Sequence, residues 1–487
     1  MTRITRRSVL VGAGVTALAM GAGAKGARAA QAGSTAKPPR TAKADVLVLG
    51  AGLSGLSSAV TLQEQGLDVQ VIEARERIGG RIFTRFDIPG LPEVGGQSFG
   101  AGYGRVMDAA TRMGLKIYQY SEKRLRTKFE LVVNGGLMSA EEWAASPLNT
   151  LPDDLRKRMP WEMSGVAMQG RNPLVGSDDW RSDANSVYDV SIHDFLSERN
   201  VPEEVIRLGF SLNPYFGTSA HDISAVQYCF NQAWVAGQAE IAPHVYAIEG
   251  GNQQLPMRLA EKLKRPVDTG REVVSVATNK DGVEVRCQDG SVYRADRVIC
   301  SLPYSVVRTI RFDPVLTGNH AIAVATLPYM INTVIFLKVN RPFWEEDGLS
   351  PAMWTDGMLG TVAAHRSGPN EDVTALVVNP RGHRAAYLDR LPREEAIRRV
   401  IAEIESIRPK ARGALECVGY QSWNQDPYSA GDWAVFAPGQ IKRFAREIAS
   451  VHGRVHFCGE HTAVANRGME GAMESAERVA IEVMTAG

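Results

Sequence analysis

The sequence predicts an α/β fold built on a parallel sheet, and two observations near residue 50 carry this prediction. Residues 46–49 are a short apolar run, which is typical of a strand buried in a parallel sheet. Gly50, Gly52 and Gly55 follow this run at once with the spacing G-x-G-x-x-G. A glycine-rich turn of this kind between a strand and a helix predicts a Rossmann-type domain that binds a dinucleotide.

The glycines and the next strand have separate roles in such a domain. The first glycine permits a tight turn, the second lets the backbone approach a pyrophosphate, and the third lets the helix pack against the strand. The helix predicted over residues 54–65 points its free N–H groups at the phosphates. A second strand, predicted over residues 69–72, delivers Glu73, whose carboxylate can accept hydrogen bonds from a ribose hydroxyl.

The segment after Glu73 indicates which dinucleotide is bound. Arg75, Arg77 and Arg81 surround a glycine pair at 79–80, so that cations and bare backbone lie where a pyrophosphate would bind. With its pattern Glu-Ala-Arg-x-Arg-x-Gly-Gly-Arg, this stretch resembles the flavin-containing amine oxidase family, which includes monoamine, polyamine and L-amino-acid oxidases. The resemblance implies FAD rather than NAD, with Glu73 on the adenosine ribose and Arg75 and Arg81 near the phosphates.

The amino terminus predicts export. Arg6 and Arg7 precede an apolar stretch rich in glycine and alanine, and Ala-Arg-Ala follows at 27–29. These features indicate a twin-arginine signal peptide over residues 1–29 and a linker over residues 30–43. We therefore expect a periplasmic or secreted protein that meets the twin-arginine translocase already folded around its cofactor. A retained amino-terminal anchor is the alternative, although the apolar stretch is shorter than the ~20 residues of a membrane span.

Composition excludes several classes of partner and site. The formal net charge is +1, which provides no field to attract nucleic acid. The five cysteines are dispersed without a C-x-x-C pair, so they predict buried apolar side chains rather than a disulfide framework. The nine histidines show no metal-ligand spacing, and no metal site is expected. No motif fixes the oligomeric state, for which a homodimer is one option.

Two kinds of pattern alternate along the chain and define the predicted domains. The FAD-binding domain is expected in three segments, residues 44–104, 247–311 and 419–487. The substrate-binding domain is expected in two segments, the mainly helical residues 105–246 and the mixed residues 312–418. The predicted architecture is thus a Rossmann-type FAD-binding domain interleaved with an α+β substrate-binding domain.

The resemblance also implies which other segments hold the flavin. In the family, a glycine-rich segment passes near the flavin ring, and a strand holds adenine through its main chain. A Gly-Glu pair near the carboxy terminus lies on the ribityl chain, and the start of the following helix lies near the flavin N1–O2 edge. The matching positions of this sequence are Gly95, Gly96, Gln97, Ser98, Val273, Glu460 and Met469.

A block near the carboxy terminus matches the family's substrate side. Residues 423–433 follow the pattern W-x-x-x-x-Y-S-x-G-x-aromatic, with Asp432 where monoamine oxidases carry a cysteine bonded to the flavin. The resemblance therefore implies noncovalent FAD. Trp433 falls on one wall of the family's aromatic cage, which orients the substrate amine. Gly468 replaces the second wall, so we expect a one-sided cage. Arg467 beside it either meets a substrate carboxylate or is a surface cation.

The electron acceptor is left open by one departure from the family. Many members place a lysine near flavin N5, ten residues before the Trp of Pro-Phe-Trp, and that lysine is linked to oxygen reactivity. Counting back from Trp344 gives Val334. The acceptor is thus either O2 or a separate periplasmic acceptor.

The leading hypothesis is an FAD-dependent enzyme that oxidises a small-molecule amine by hydride transfer to flavin N5, giving an imine that water hydrolyses to a carbonyl product. The alternative is a flavin dehydrogenase or desaturase that acts on C–C or C–O bonds of a bulky substrate without an amine. The missing lysine and the one-sided cage favour the alternative, and the block at 423–433 favours amine oxidation. A third hypothesis is a non-catalytic FAD-binding protein.

Overall fold

The structure is a computed structural model, and it describes residues 38–125, 128–176, 178–367 and 370–486. The predicted signal peptide and residues 30–37 of the predicted linker lie outside the described residues. The strands are, in chain order, β1 (Thr41–Leu49), β2 (Val69–Ile72), β3 (Phe83–Thr84), β4 (Glu93–Gly95), β5 (Phe99–Gly100), β6 (Ile117–Gln119), β7 (Phe129–Val133), β8 (Gly136–Met138), β9 (Val245–Ile248), β10 (Val273–Asn279), β11 (Gly282–Cys287), β12 (Val292–Cys300), β13 (Arg311–Asp313), β14 (Thr333–Val339), β15 (Ala352–Thr355), β16 (Thr361–Ser367), β17 (Asp372–Asn379), β18 (Leu415–Ser422) and β19 (Val455–Phe457).

The α-helices are α1 (Leu53–Glu64), α2 (Gly104–Arg112), α3 (Glu122–Leu125), α4 (Ala140–Ala145), α5 (Met163–Met168), α6 (Ile192–Ser197), α7 (Glu203–Ile206), α8 (Ala225–Ile241), α9 (Gln254–Glu261), α10 (Tyr304–Val307), α11 (Gly318–Thr326), α12 (Phe343–Asp347), α13 (His383–Leu388), α14 (Arg393–Ile407), α15 (Gln440–Phe444) and α16 (Gly468–Thr485). Among the described residues, no helix is both long enough and apolar enough to cross a membrane.

The first sheet carries the predicted dinucleotide-binding unit. Its strand order is β13-β10-β11-β12-β1-β2, and β19 also pairs with β12. Strand β1 lies parallel to both β2 and β12. Strands β10, β11 and β12 form an antiparallel meander. Strand β12 is long enough to pair with β11 through its first residues and with β19, in parallel, through its last. Four parallel strands therefore end at the same edge of this sheet.

Burial on both faces explains the continuous apolar run of β1. Leu47 and Leu49 belong to the core cluster on one face, and Val46 and Val48 belong to the core cluster on the other. Because successive side chains of a strand point to opposite faces, a strand covered on both sides needs an apolar residue at every position. Helices α1 and α16 pack against each other in the second of these clusters.

The second sheet has the order β18-β14-β17-β16-β15-β7-β8. It combines strands from two distant parts of the chain, since β7 pairs in parallel with β15. The segment 105–246, predicted as mainly helical, thus also supplies an edge of this sheet. Two smaller sheets have the orders β3-β4 and β5-β9-β6.

The last residues of the predicted linker, 41–43, belong to a strand, so this part of the prediction was wrong. Strand β1 begins at Thr41, and residues 41–43 pair with residues 292–294 of β12. The Pro/Lys/Ala composition of this stretch resembles a linker, but pairing with a neighbouring strand overrides local composition because it satisfies the backbone donors and acceptors.

Candidate active site

A deep cavity lies at the shared carboxyl edge of the parallel strands. Its lining includes residues within three positions after the ends of β1, β2, β12 and β19, namely Gly50, Gly52, Glu73, Ser301 and Glu460. Ligands of open α/β sheets bind in the crevice outside the carboxyl ends of the strands. The position of the cavity therefore agrees with the site predicted from the glycine motif.

The three glycines of the motif meet different surroundings. Gly50 has φ +100°, and a Cβ there would lie 2.9 Å from Ser301 Oγ. A Cβ on Gly52 would meet no atom within 4 Å, and Gly52 lines the cavity. A Cβ on Gly55 would lie 2.2 Å from the carbonyl oxygen of Gly50. Gly55 does not itself line the cavity but lets α1 pack on β1.

Glu73 is held in place at the edge of the cavity. Its side chain is buried, and its Oε2 accepts a hydrogen bond from the N–H of Ala51 at 2.9 Å. Its Oε1 accepts one from the N–H of Arg75, also at 2.9 Å. Each carboxylate oxygen can accept a further hydrogen bond, so Glu73 is a fixed acceptor for a ligand hydroxyl.

Two of the three predicted arginines line the cavity. Arg75 donates to Ser429 Oγ at 2.8 Å and pairs with Asp426. Arg81 donates to Glu460 Oε1 at 2.9 Å and to the carbonyl oxygen of Asp432 at 2.5 Å. Arg77 does not line the cavity, because it lies over the Phe83 ring and donates to the Gly80 carbonyl at 2.8 Å.

Glu460 is the centre of a buried charge cluster. Its Oε1 accepts from Arg81 and from the N–H of Ala434 at 3.1 Å, and its Oε2 lies 4.0 Å from Arg467 Nη2. Burial alone would raise the pKa of this carboxyl, but the Arg81 and Arg467 cations lower the pKa below its ordinary value. The buried Oε2 has no hydrogen-bond donor among the described residues.

The far end of the cavity is aromatic. Trp433, Phe216, Tyr215 and Tyr103 line it, and the Trp433 and Phe216 rings lie 5.9 Å apart. Burial raises the pKa of Tyr103 above its ordinary value, so this phenol stays neutral.

Comparison with known proteins identifies the family. The profile described as "Flavin containing amine oxidoreductase" matches residues 53–484. This chain belongs to that family. It is an FAD-dependent amine oxidoreductase, as the resemblance implied. The C–C or C–O alternative is not favoured by the comparisons.

Relatives of this amine oxidoreductase match nearly all of its length. It is 26% identical over 469 residues to "Amine oxidase [flavin-containing] B" of Cavia porcellus, covering 91% of this chain and 86% of that protein. The protein of the same name from Sus scrofa is 27% identical, with 92% and 87% covered. A triple mutant of Putrescine Oxidase has a TM-score of 0.72 at 26% identity, with 92% and 100% covered. Cyclohexylamine Oxidase from Brevibacterium oxydans IH-35A has a TM-score of 0.73 at 22% identity, with 90% and 98% covered, and shares the fold.

The cavity of this amine oxidoreductase fits FAD on several independent observations. The open space beside Gly52 lets backbone approach a phosphate, and Glu73 presents fixed acceptor oxygens. Glu460 lines the cavity, and its buried Oε2 lacks a hydrogen-bond donor among the described residues. The other residues predicted to hold FAD also line it, namely Gly95, Gly96, Gln97, Ser98, Val273 and Met469. Their contact with FAD stays a prediction.

The prediction for Arg467 was wrong in both of its forms. Arg467 is 2% exposed, so it is not a surface cation, and it does not line the cavity, so it cannot meet a substrate carboxylate there. Its Nη2 donates to the carbonyl oxygen of Ala434 at 2.9 Å, and its guanidinium lies 5.9 Å from the centre of the Trp433 ring. Arg467 thus lies close to Trp433 and Glu460 without lining the cavity itself. Burial lowers the pKa of Arg467, and the Glu460 carboxylate opposes this shift.

The residue reached by counting back from Trp344 lies in a packed part of the second sheet. Val334 is buried in a cluster with Val94, Phe336 and Trp423 and does not line the cavity. The cavity residue at this end of β14 is Asn332. Its Nδ2 donates to Asp432 Oδ2 at 2.9 Å. Burial raises the pKa of the Asp432 carboxyl, while the hydrogen bond from Asn332 opposes this shift.

The surroundings of Gly468 include an aromatic side chain that the sequence analysis did not single out. Gly468 has φ +56°, and a Cβ there would lie 3.4 Å from Tyr103 Oη and 3.5 Å from Trp433 Cζ2. Gly468 therefore lies close to two aromatic side chains, and one of them is Tyr103, the residue just before α2. The sequence carried no signal for Tyr103, because a single tyrosine in a glycine-rich segment matches no motif. Asn379 and Arg381 line the cavity too and were also missed.

Proposed function

We propose that this enzyme oxidises a small-molecule amine held between Trp433 and Tyr103, with noncovalent FAD as its cofactor. The observation that carries the proposal is the continuity of the cavity, which reaches from Glu73 to Trp433 and Tyr215 without interruption. A dinucleotide and a substrate bound there share one enclosure, in which aromatic and apolar walls exclude water from the reacting atoms.

The residues of the chain bind and orient in this proposal. FAD, when bound, supplies the acceptor for the two electrons and the hydrogen that leave the carbon next to the amine nitrogen. Trp433, Phe216 and Tyr103 restrict the substrate to an orientation that presents this C–H bond. The resulting carbon–nitrogen double bond is hydrolysed by water to a carbonyl compound and ammonia or an amine. The chain needs no strong acid or base for this if the amine binds neutral.

Anaerobic reduction of the flavin by a panel of amines tests the function. The holoenzyme is mixed with aryl-alkylamines, polyamines, amino acids and, as controls, the matching alcohols, and air is then admitted. We expect amines to bleach the flavin absorbance and alcohols to leave it unchanged, with release of ammonia or an amine. Prompt reoxidation with peroxide formation supports O2 as acceptor, and persistent bleaching supports a separate acceptor. Bleaching by alcohols alone would contradict the proposal.

Noncovalent attachment of FAD is supported by the lining of the cavity. Within the described ranges, the lining contains no cysteine that could form a thioether with a flavin, and Asp432 occupies the position of the family's attached cysteine. We expect denaturation of the holoenzyme with trichloroacetic acid to release all flavin into the supernatant, with the mass of unmodified FAD. Flavin that stays with the precipitated protein would contradict this expectation. Holoenzyme left in neutral buffer serves as the control.

Export by the twin-arginine pathway is part of the proposal and rests on the sequence of the amino terminus. Replacing Arg6 and Arg7 together with lysine should retain the protein in the cytoplasm, because the translocase reads the arginine pair. Cell fractionation and the mass of the mature amino terminus provide the measurement, with Arg3→Lys as the matched control. Normal export of the double variant would exclude this route.

A further inference from the structure

The substrate end of the cavity carries three polar side chains on one face of the second sheet. Asn332 and Arg381 form an isolated antiparallel bridge, so they lie directly opposite each other. Side chains of such a pair point to the same face, with Cβ atoms about 5 Å apart. Asn379 lies two residues before Arg381, and all three line the cavity. A single small ligand can therefore contact all three.

Arg381 differs from the other arginines of the cavity in lacking an anionic partner. Arg75 pairs with Asp426, Arg81 with Glu460, and Arg271 with Asp268. No described carboxylate forms an ion pair with Arg381, and its Nε is buried without a hydrogen-bond acceptor. A buried donor on a cation is costly to leave unpaired, so a ligand that supplies an anion gains the full interaction.

Asp432, an acidic group close to Arg381, already has a hydrogen-bond partner. Asp432 is close enough for Arg381 to lower its pKa, yet its Oδ2 accepts the hydrogen bond from Asn332 at 2.9 Å. This hydrogen bond also fixes the orientation of the Asn332 amide, because Nδ2 must face Asp432 to donate it. The Oδ1 of Asn332 is left buried without a donor. Asn379 Oδ1 is likewise buried without a donor among the described residues.

The backbone holds Arg381 in this position before any ligand binds. The N–H of Gly382 donates to the Ile331 carbonyl at 2.9 Å, and that of Thr333 donates to the Pro380 carbonyl at 3.2 Å. A Cβ on Gly382, at φ +57°, would lie 3.0 Å from the Thr218 carbonyl oxygen. The Arg381 guanidinium lies 4.8 Å from the centre of the Tyr215 ring, on the same stretch as Thr218. The site is thus preorganised.

We propose that Arg381 binds a carboxylate of the substrate and that Asn332 and Asn379 accept hydrogen bonds from its amine nitrogen. An unpaired cation beside two unpaired acceptor oxygens is complementary to a carboxylate beside an N–H group. The substrate class is therefore an amine whose carboxylate lies within a few bonds of the nitrogen. This inference rests on the proposed function, which it makes more specific, and Arg381 is its specificity-determining residue.

Matched substrate pairs test the inference. Phenylalanine against 2-phenylethylamine, and leucine against isopentylamine, differ only in the carboxylate, and both enantiomers of each amino acid are used. Rapid anaerobic mixing of the holoenzyme gives a Kd and a limiting rate of flavin reduction for each compound. We expect Arg381→Met to raise the Kd of the carboxylated member roughly 10- to 100-fold. The Kd of the amine without a carboxylate should change by less than about twofold.

Two further variants separate binding from a structural effect. Arg381→Lys should recover part of the affinity, because lysine keeps the charge but not the planar fork that matches a carboxylate. Arg390→Met removes the same charge from an exposed position nine residues further along the chain and should leave every Kd unchanged. If Arg381→Met weakens the binding of both members of a pair equally, the cavity is distorted, and the assignment of Arg381 to a substrate carboxylate is overturned.

A binding measurement without turnover gives an independent readout. Benzoate and its neutral isostere benzamide are titrated into the holoenzyme, and the flavin absorbance spectrum reports binding. We expect benzoate to bind more tightly than benzamide, and this preference to vanish in Arg381→Met. If amines without carboxylates reduce the wild-type flavin best and Arg381→Met changes nothing, the inference fails while the proposed function stands. If no amine reduces the flavin, the proposed function fails. In that case, the loss of benzoate binding in Arg381→Met decides whether Arg381 forms an anion site.

Discussion

Replacing Gly55 with alanine should destabilise the protein by about 3 kcal/mol and abolish retention of FAD. The added Cβ would lie 2.2 Å from the Gly50 carbonyl oxygen and 2.5 Å from Ser301 Oγ. The first contact is with backbone, so relief requires α1 to move away from β1. This shift would displace the glycine turn that lines the cavity. Thermal unfolding and the flavin content of the purified protein provide the measurement.

Gly52→Ala is the matched control for this prediction. Its φ of −80° suits any residue, and the added methyl group meets no protein atom within 4 Å. We expect this variant to fold with normal stability in the absence of FAD and to bind FAD more weakly, because the methyl group enters the cavity. A Gly55→Ala protein that unfolds at the wild-type temperature with full flavin content would refute the close-packing argument.

Glu460→Gln should destabilise the protein by about 3–5 kcal/mol, although the two side chains have nearly the same shape. The substitution leaves Arg81 and Arg467 in the interior without the carboxylate that lies between them. Denaturant unfolding of the apoprotein provides the measurement and separates this effect from any loss of FAD binding. Because the folded-state pKa of Glu460 is lowered, the stabilisation is fully present above the ordinary pKa of 4.5 and is lost as the pH falls through the folded-state value.

Asp87→Asn provides the control for the charge change. Asp87 pairs with Arg85, but its side chain is 66% exposed, so water replaces the lost interaction. We expect a change within about 0.5 kcal/mol. If Glu460→Gln and Asp87→Asn lower the free energy of unfolding equally, the buried charge cluster contributes no more to stability than a surface ion pair.

The cofactor half of the site could be predicted from the sequence because its signals are local. Gly50, Gly52 and Gly55 are constrained by one turn, and Glu73 follows at the end of the next strand, so four residues of the site lie within a single βαβ-type unit. The strands β1 and β2 followed from the short apolar runs at residues 46–49 and 69–72. The linker failed at residues 41–43, where pairing with β12 decides the structure and local composition does not.

The substrate half could not be predicted because its residues meet only through tertiary pairing. Asn332 and Arg381 become neighbours through the bridge between the start of β14 and the end of β17, which no motif marks. Arg467 adjoins Gly468 in sequence, yet its side chain points away from the cavity to the Ala434 carbonyl. Val334, reached by counting back from Trp344, lies in a packed cluster, and the cavity residue near the start of β14 is Asn332.

The helix α16 has a consequence for the order in which the enzyme matures. Its first residues, Gly468, Met469 and Ala472, form part of the cavity wall, and α16 packs against α1 at the other end of the sequence. A ribosome must therefore have translated the chain as far as Ala472 before the cofactor enclosure is complete. A nascent polypeptide that ends before α16 lacks the part of the wall that would retain the flavin.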